Sequence, residues 1–160
     1  NISGLYWDPL AIRLCKEAGV GARLNLRIGG KCCRESGIPV DLDVTVKGII
    51  ENATQPFGSV TQQMGDAVWL QAAGNVNLVL NFIRGQTFPP DAFSQFGIDL
   101  ASLKIIIPKS SQHFYAGFAP IAAEVIYATS PGTLNMDFAN LPFTKLATPF
   151  WPNVEDPFKS

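Results

Sequence analysis

Two stretches of the chain alternate strictly between apolar and polar residues. In Arg23–Ile28, Leu24, Leu26 and Ile28 point one way and Arg23, Asn25 and Arg27 the other. In Val40–Val46, Val40, Leu42, Val44 and Val46 oppose Asp41, Asp43 and Thr45. A period of two predicts strands with one buried and one wet face. If they pair, the arginines of one meet the aspartates of the other, at roughly 0.2–1 kcal/mol per exposed pair. Gly29-Gly30 and the polar run to Pro39 supply the link. Ala67–Ala72 and Val76–Ile83 predict two more strands joined by a tight turn at Gly74-Asn75, and Val60–Gln63 a weaker one. Lys104–Ile107 reads as a buried strand ended by Pro108, which cannot donate to a ladder.

Helical periods interrupt this pattern. Asp8 is an N-cap, Pro9 suits the first helical position, and Gly19 ends the helix. Leu10, Leu14 and Ala18 share one face, with Ala11 and Cys15 beside them. Pro90 opens a short helix over Asp91–Phe96, stopped by Gly97. Phe114, Phe118, Ile121 and Val125 predict a later helical stripe, kinked or delayed by Pro120, with Ser110 or Ser111 as its cap. Ile126–Thr129 reads as another strand, and Ser130-Pro131-Gly132 stops the segment. From Leu141 the chain is rich in Pro and aromatics, which predicts an extended tail packed over the body or over a neighbouring domain. The fold class is therefore α+β, or mixed α/β. It should have a mainly antiparallel sheet, a strand–helix–strand unit over Leu103–Thr129 and an extended tail over 141–160, in one domain spanning 1–160.

Charge narrows the function. Twelve Lys and Arg against thirteen Asp and Glu leave a net charge of −1, giving no reason to expect nucleic acid or a membrane surface as partner. No apolar run approaches the roughly 20 residues of a bilayer span, and no signal peptide opens the chain. The absence of an initiator Met points to a fragment or a processed product. Cys15, Cys32 and Cys33, an odd set with two adjacent, make a poor disulfide framework and read as reduced thiols of a cytoplasmic protein. Cys32-Cys33 lacks the second separated pair of a structural zinc site.

The chemistry on offer gathers after the Ile105–Ile107 run, at Lys109-Ser110-Ser111-Gln112-His113, which holds the only histidine. Ser beside His is not a catalytic triad, because sequence neighbours rarely adopt nucleophile–base–orienter geometry. No nucleophile elbow, phosphate loop, dinucleotide fingerprint or paired-His zinc motif occurs. Two readings of the loop stand level from spacing alone. One is a positive, hydrogen-bonding patch for a ligand carboxylate or carbonyl. The other is a helix cap with a half-buried His.

At these residues the chain resembles a known family. K-S-S-x-H-F from Lys109, F-A-P-I-A-x-x-V-I from Phe118 and the closing Pro131-Gly132 are similar to the C-terminal domain of the MlrC-type metallopeptidases, named for degrading linearised microcystin. So are Trp7-Asp8-Pro9, Gly29-Gly30-Lys31, the Arg84–Asp99 segment with Gln86, Phe88 and Phe93, Leu141-Pro142-Phe143 and Trp151-Pro152. The resemblance covers nearly the whole chain. It implies a zinc-dependent hydrolase of small peptides whose metal ligands lie in a larger N-terminal domain absent from this chain, with none in the chain itself. It also implies that this chain is the C-terminal fragment, partnered by that N-terminal domain. His113 is then a candidate catalytic donor, and Lys109, Ser110, Ser111, His113 and Tyr115 are candidate substrate-binding residues. Two departures bear on the substrate. His113-Phe114-Tyr115 stands where the family commonly has H-F-R, and Gln86-Thr87-Phe88 where it often has Q-P-F. The alternative function is a structural, interdomain or homodimerisation module without active-site contact.

Overall fold

The computed structural model describes residues 1–130, 132, 134 and 136–159. Its strands are β1 (Ile2–Trp7), β2 (Arg23–Ile28), β3 (Val40–Phe57), β4 (Val60–Ala72), β5 (Val76–Asn81) and β6 (Ile106–Pro108). They form one sheet in the order β2-β3-β4-β5-β1-β6. The α-helices are α1 (Pro9–Ala18), α2 (Asp91–Ser94) and α3 (Tyr115–Phe118). The α+β class holds, but the mainly antiparallel expectation holds only for β2 to β5. β1 lies between β5 and β6 and runs parallel to both, so the sheet is mixed. The sequence pattern missed β1 for a physical reason. Ile2, Ser3, Gly4 and Leu5 are all buried, so no wet face writes an alternating polar position into the chain.

β2 and β3 pair as the alternation predicts, with Arg27 opposite Asp41 and Asn25 opposite Asp43. Arg27 Nε and Nη2 each donate to an Asp41 carboxylate oxygen at 2.7 Å. That contact holds the Asp41 carboxyl below its usual range. β3 and β4 run much further than alternation suggested. Register shifts between Val46 and Gly48 and again between Ile50 and Thr54 break the period of two. β5 pairs β4 only from Ala67 to Ala72, so the outer part of the β3–β4 hairpin projects as a two-stranded arm.

α1 begins as expected, with the Asp8 carboxylate accepting from Ala11 N–H at 3.1 Å. Its inner face is a correction. Leu10 and Leu14 are 59% and 43% exposed, and Ala11, Ile12 and Cys15 are the buried residues. Asp8 decides this. Its carboxylate is fully buried, and positions three, four and seven residues on fall on the same side of a helix. β2 lies four strands from β1, yet Gly29 N–H and Lys31 Nζ at its far end reach Asp8 Oδ2 at 3.3 and 2.5 Å. The sheet therefore coils around α1, closing a core that includes Leu26, Val44, Val46, Leu70 and Leu80. Within it, burial and then the Asp8 charge push the Cys15 thiol up to about 11, while Cys32 and Cys33 are exposed.

α2 and α3 cover the opposite face. Phe93, Phe114 and Phe118 pack there with Leu5, Met64 and Val79. Two glycines permit close approach. A Cβ at Gly4 would lie 2.8 Å from the Val79 carbonyl oxygen, and one at Gly117 would lie 2.9 Å from Pro90 Cδ.

The expected strand–helix–strand unit does not form. β6 is a three-residue edge strand, and Ile105 and Ile107 are exposed rather than buried. The helix stops at Phe118 and gives way to a 3-10 turn at Ala119–Ile121. Pro120 has no N–H to continue the ladder, and its ring crowds the preceding turn. No side chain caps α3, so neither Ser110 nor Ser111 plays that part. Residues 126–129 form no strand. Pro131 of the predicted stop lies outside the described residues. In the tail, Val154 N–H closes a turn on the Phe150 carbonyl, and Phe143 meets Phe150 edge-on at 5.3 Å. No helix among the described residues is long and apolar enough to cross a membrane.

Candidate functional site

The parallel strands β5, β1 and β6 end on the same side of the sheet. The C-terminal ends of parallel strands are where open sheets leave a crevice for ligands. The loop after β5 and the loop after β6 meet there, and the β3–β4 arm closes over them. Thr87 N–H donates to the Lys109 carbonyl at 3.1 Å, and Lys109 N–H donates to the Gly4 carbonyl at 2.5 Å. The Thr87 hydroxyl donates to the Gly4 carbonyl at 2.6 Å and accepts from Leu5 N–H at 2.7 Å. Thr87 is thus a buried joint between β1, the β5 loop and the β6 loop. A proline there would have neither the N–H nor the hydroxyl.

Gln55 fastens the arm to the same loop. Its side chain is buried, donating through Nε2 to the Gln86 carbonyl at 2.7 Å and accepting through Oε1 from Phe88 N–H at 3.0 Å. Ser110 Oγ donates to Gln86 Oε1 at 3.0 Å. Phe57, at the tip of the arm, stacks on Phe88 with centroids 4.4 Å apart. His113 stands edge-on to both rings, at 5.0 and 5.7 Å.

Of the predicted site residues, Lys109, Ser111, His113 and Tyr115 are exposed and Ser110 is half-buried. Ser110 and His113 join the wall formed by Gln55, Phe57, Gln86 and Phe88. Tyr115 lies on α3 against Phe114, with ring centroids 6.4 Å apart. The His113 ring is held by aromatic contacts, and its nitrogens make no hydrogen bond among the described residues. The sequence reading missed Gln55 and Phe57, because Thr54-Gln55-Pro56-Phe57 carries no alternation and its Pro argues against a strand. Gln86 and Phe88 were legible only as part of a motif.

Gln55→Leu removes both bonds that hold residues 86–88 to the arm. It leaves the half-buried Phe88 N–H and Gln86 C=O without their partner, at a cost of about 1 kcal/mol. The expected result is a lower urea midpoint together with faster amide exchange over 54–63. An unchanged midpoint would show that the arm is not latched through Gln55.

The residues present do not fit a zinc centre. No group of three or more His, Cys, Asp and Glu side chains able to hold a metal occurs among the described residues. Asp8 is occupied by Lys31 and the start of α1.

Comparison with known proteins shows the family. The sequence profile described as MlrC C-terminus matches residues 1–145. The chain belongs to this family. Microcystinase C of a Sphingomonas species is 34% identical over 149 residues, which is 93% of this chain and 28% of that protein. A crystal structure of a candidate metallopeptidase from Mesorhizobium sp. BNC1 superposes with a TM-score of 0.81 at 25% identity, over 96% of this chain and 31% of its own. The chain therefore spans less than a third of the length of either relative. In this chain, Lys109–Phe114 lies in the loop after β6, and Arg84–Phe88 lies in the loop after β5 that meets it.

Proposed function

We propose that this chain is the C-terminal, substrate-binding domain of a zinc-dependent metallopeptidase that cleaves small peptides, of the kind that linear microcystin represents. One observation carries the reading. In a member of the MlrC C-terminus family, the exposed His113 is clamped by Phe57 and Phe88 at the C-terminal ends of three parallel strands, with unengaged ring nitrogens. On this reading the metal ligands belong to an N-terminal domain of the longer protein, which is the partner of this one. His113 donates a hydrogen bond to a substrate carbonyl, and the Lys109 ammonium attracts a substrate carboxylate. Ser111 is an exposed hydroxyl beside them, and Ser110 holds the loop through Gln86. Tyr115, in place of the family's Arg, offers a phenol instead of a bidentate cation and so favours a less acidic substrate.

The test is His113→Ala in the longer protein. Loss of a preorganised donor is expected to lower kcat/KM by roughly 100-fold. Unchanged turnover together with unchanged peptide binding would refute the role. That outcome would favour the second reading, a purely structural module, which the many exposed apolar side chains of the last forty residues also support.

A further inference from the structure

We infer that residues 122–130 are an unpaired edge strand, completed by a strand of the polypeptide that accompanies this domain in its longer relatives. The inference rests on the domain reading above. The sequence Glu124-Val125-Ile126-Tyr127-Ala128-Thr129 is rich in β-branched and aromatic residues, which favour strands. Ala122 has extended backbone, at φ −98° and ψ 138°. Among the described residues, none of 123–130 makes a backbone hydrogen bond. The segment is nevertheless attached on one side. Val125 packs on the core beside α3, and Tyr127 meets Phe114 edge-on at 5.6 Å. Two residues apart and on one side is the strand period. Ile126, between them, is 75% exposed.

Such a segment is held like a strand and lacks its ladder. Residues 122–130 hold no Lys or Pro and a single charge, Glu124 near their start, so the devices that protect edges meant to stay free are sparse. An extended partner would gain main-chain bonds from it and a seat for Ile126. The occupant follows from length. This chain is 28% of one relative and 31% of another, so most of each relative lies outside the matched region. Downstream, Leu134, Met136, Phe138 and Trp151 are also exposed. The mismatch between a strand-like sequence and a strandless segment is thus resolved by a partner strand outside the chain.

Hydrogen exchange on the longer protein tests this. The amides of 123–130 should exchange as slowly as those of β5, and Ile126→Asp should release 123–130 while β5 stays protected. Fast exchange of 123–130 in the longer protein would overturn the inference. Protection that appears in the 160-residue chain by itself and rises with its concentration would also overturn it, naming a second copy as the occupant. Peptide hydrolysis is a separate readout. An active peptidase with freely exchanging 123–130 refutes the edge alone, and an inactive protein with protected amides refutes the functional reading alone.

Discussion

Phe93→Ala is expected to lower the unfolding free energy by about 4 kcal/mol, within the range for truncating a buried aromatic. Phe93 is fully buried on α2, and its ring meets Phe118 of α3 edge-on at 6.0 Å. Its floor is backbone, because a Cβ at Gly4 of β1 would lie 3.1 Å from Phe93 Cε1. A floor made of paired strands cannot collapse into the space a lost ring leaves, so the cavity cost is retained. Phe93→Leu should cost less than half as much, since most of the volume stays filled. The measurement is the urea midpoint at unchanged m. A loss below about 1 kcal/mol would show that the ring is not a core element. The effect reaches the candidate site through α3. Phe118 lies five residues after His113, so the variant should also speed amide exchange across 109–118.

Asp8→Ala is expected to cost about 4 kcal/mol, the sum of a lost cap and a broken buried pair. The carboxylate is fully buried and serves Ala11 N–H, Gly29 N–H and Lys31 Nζ, while the Lys31 side chain keeps about a quarter of its surface in water. That residual hydration of Lys31 keeps the cost at the lower end for buried pairs. Asp8→Asn keeps an acceptor for Ala11 and should cost less than Ala, while Lys31→Met strands a buried negative charge. The double variant Asp8→Asn with Lys31→Met should recover part of the loss, the signature of direct coupling. Added salt should weaken the pair little, because buried charges are poorly screened. Strict additivity of the two single variants would show that the pair does not couple. The Trp7-Asp8-Pro9 and Gly29-Gly30-Lys31 motifs are therefore one structural clasp joining α1 to the far end of the coiled sheet.

Legibility followed physics residue by residue. β2 and the first part of β3 were legible because one face is wet, and the Arg27–Asp41 pair followed from their register. β1 was not, because a strand buried on both faces has no polar period. The β3–β4 arm was hidden by register shifts and by Pro56. In α1, the larger Leu10 and Leu14 drew the inner face wrongly, because the buried carboxylate of Asp8 outranked side-chain size. Of the site, the Lys109–His113 loop was visible as a cluster of polar types, whereas its helix-cap reading failed: Ser110 bonds Gln86 instead.

By itself, then, the sequence determined which segments carry local order: the capped start of α1, the alternating strands, the turn at Gly74-Asn75 and the loop holding the lone histidine. Local order is written in neighbours a few residues apart, and one chain suffices to read it. Only the tertiary structure decided that β1 threads between β5 and β6 and that Gln55 and Thr87 lock three loops together. It also decided that His113 stands against Phe57 and Phe88, 56 and 25 positions away in the chain. Those contacts depend on strand order and on the coil of the sheet, and no local pattern of residues encodes either.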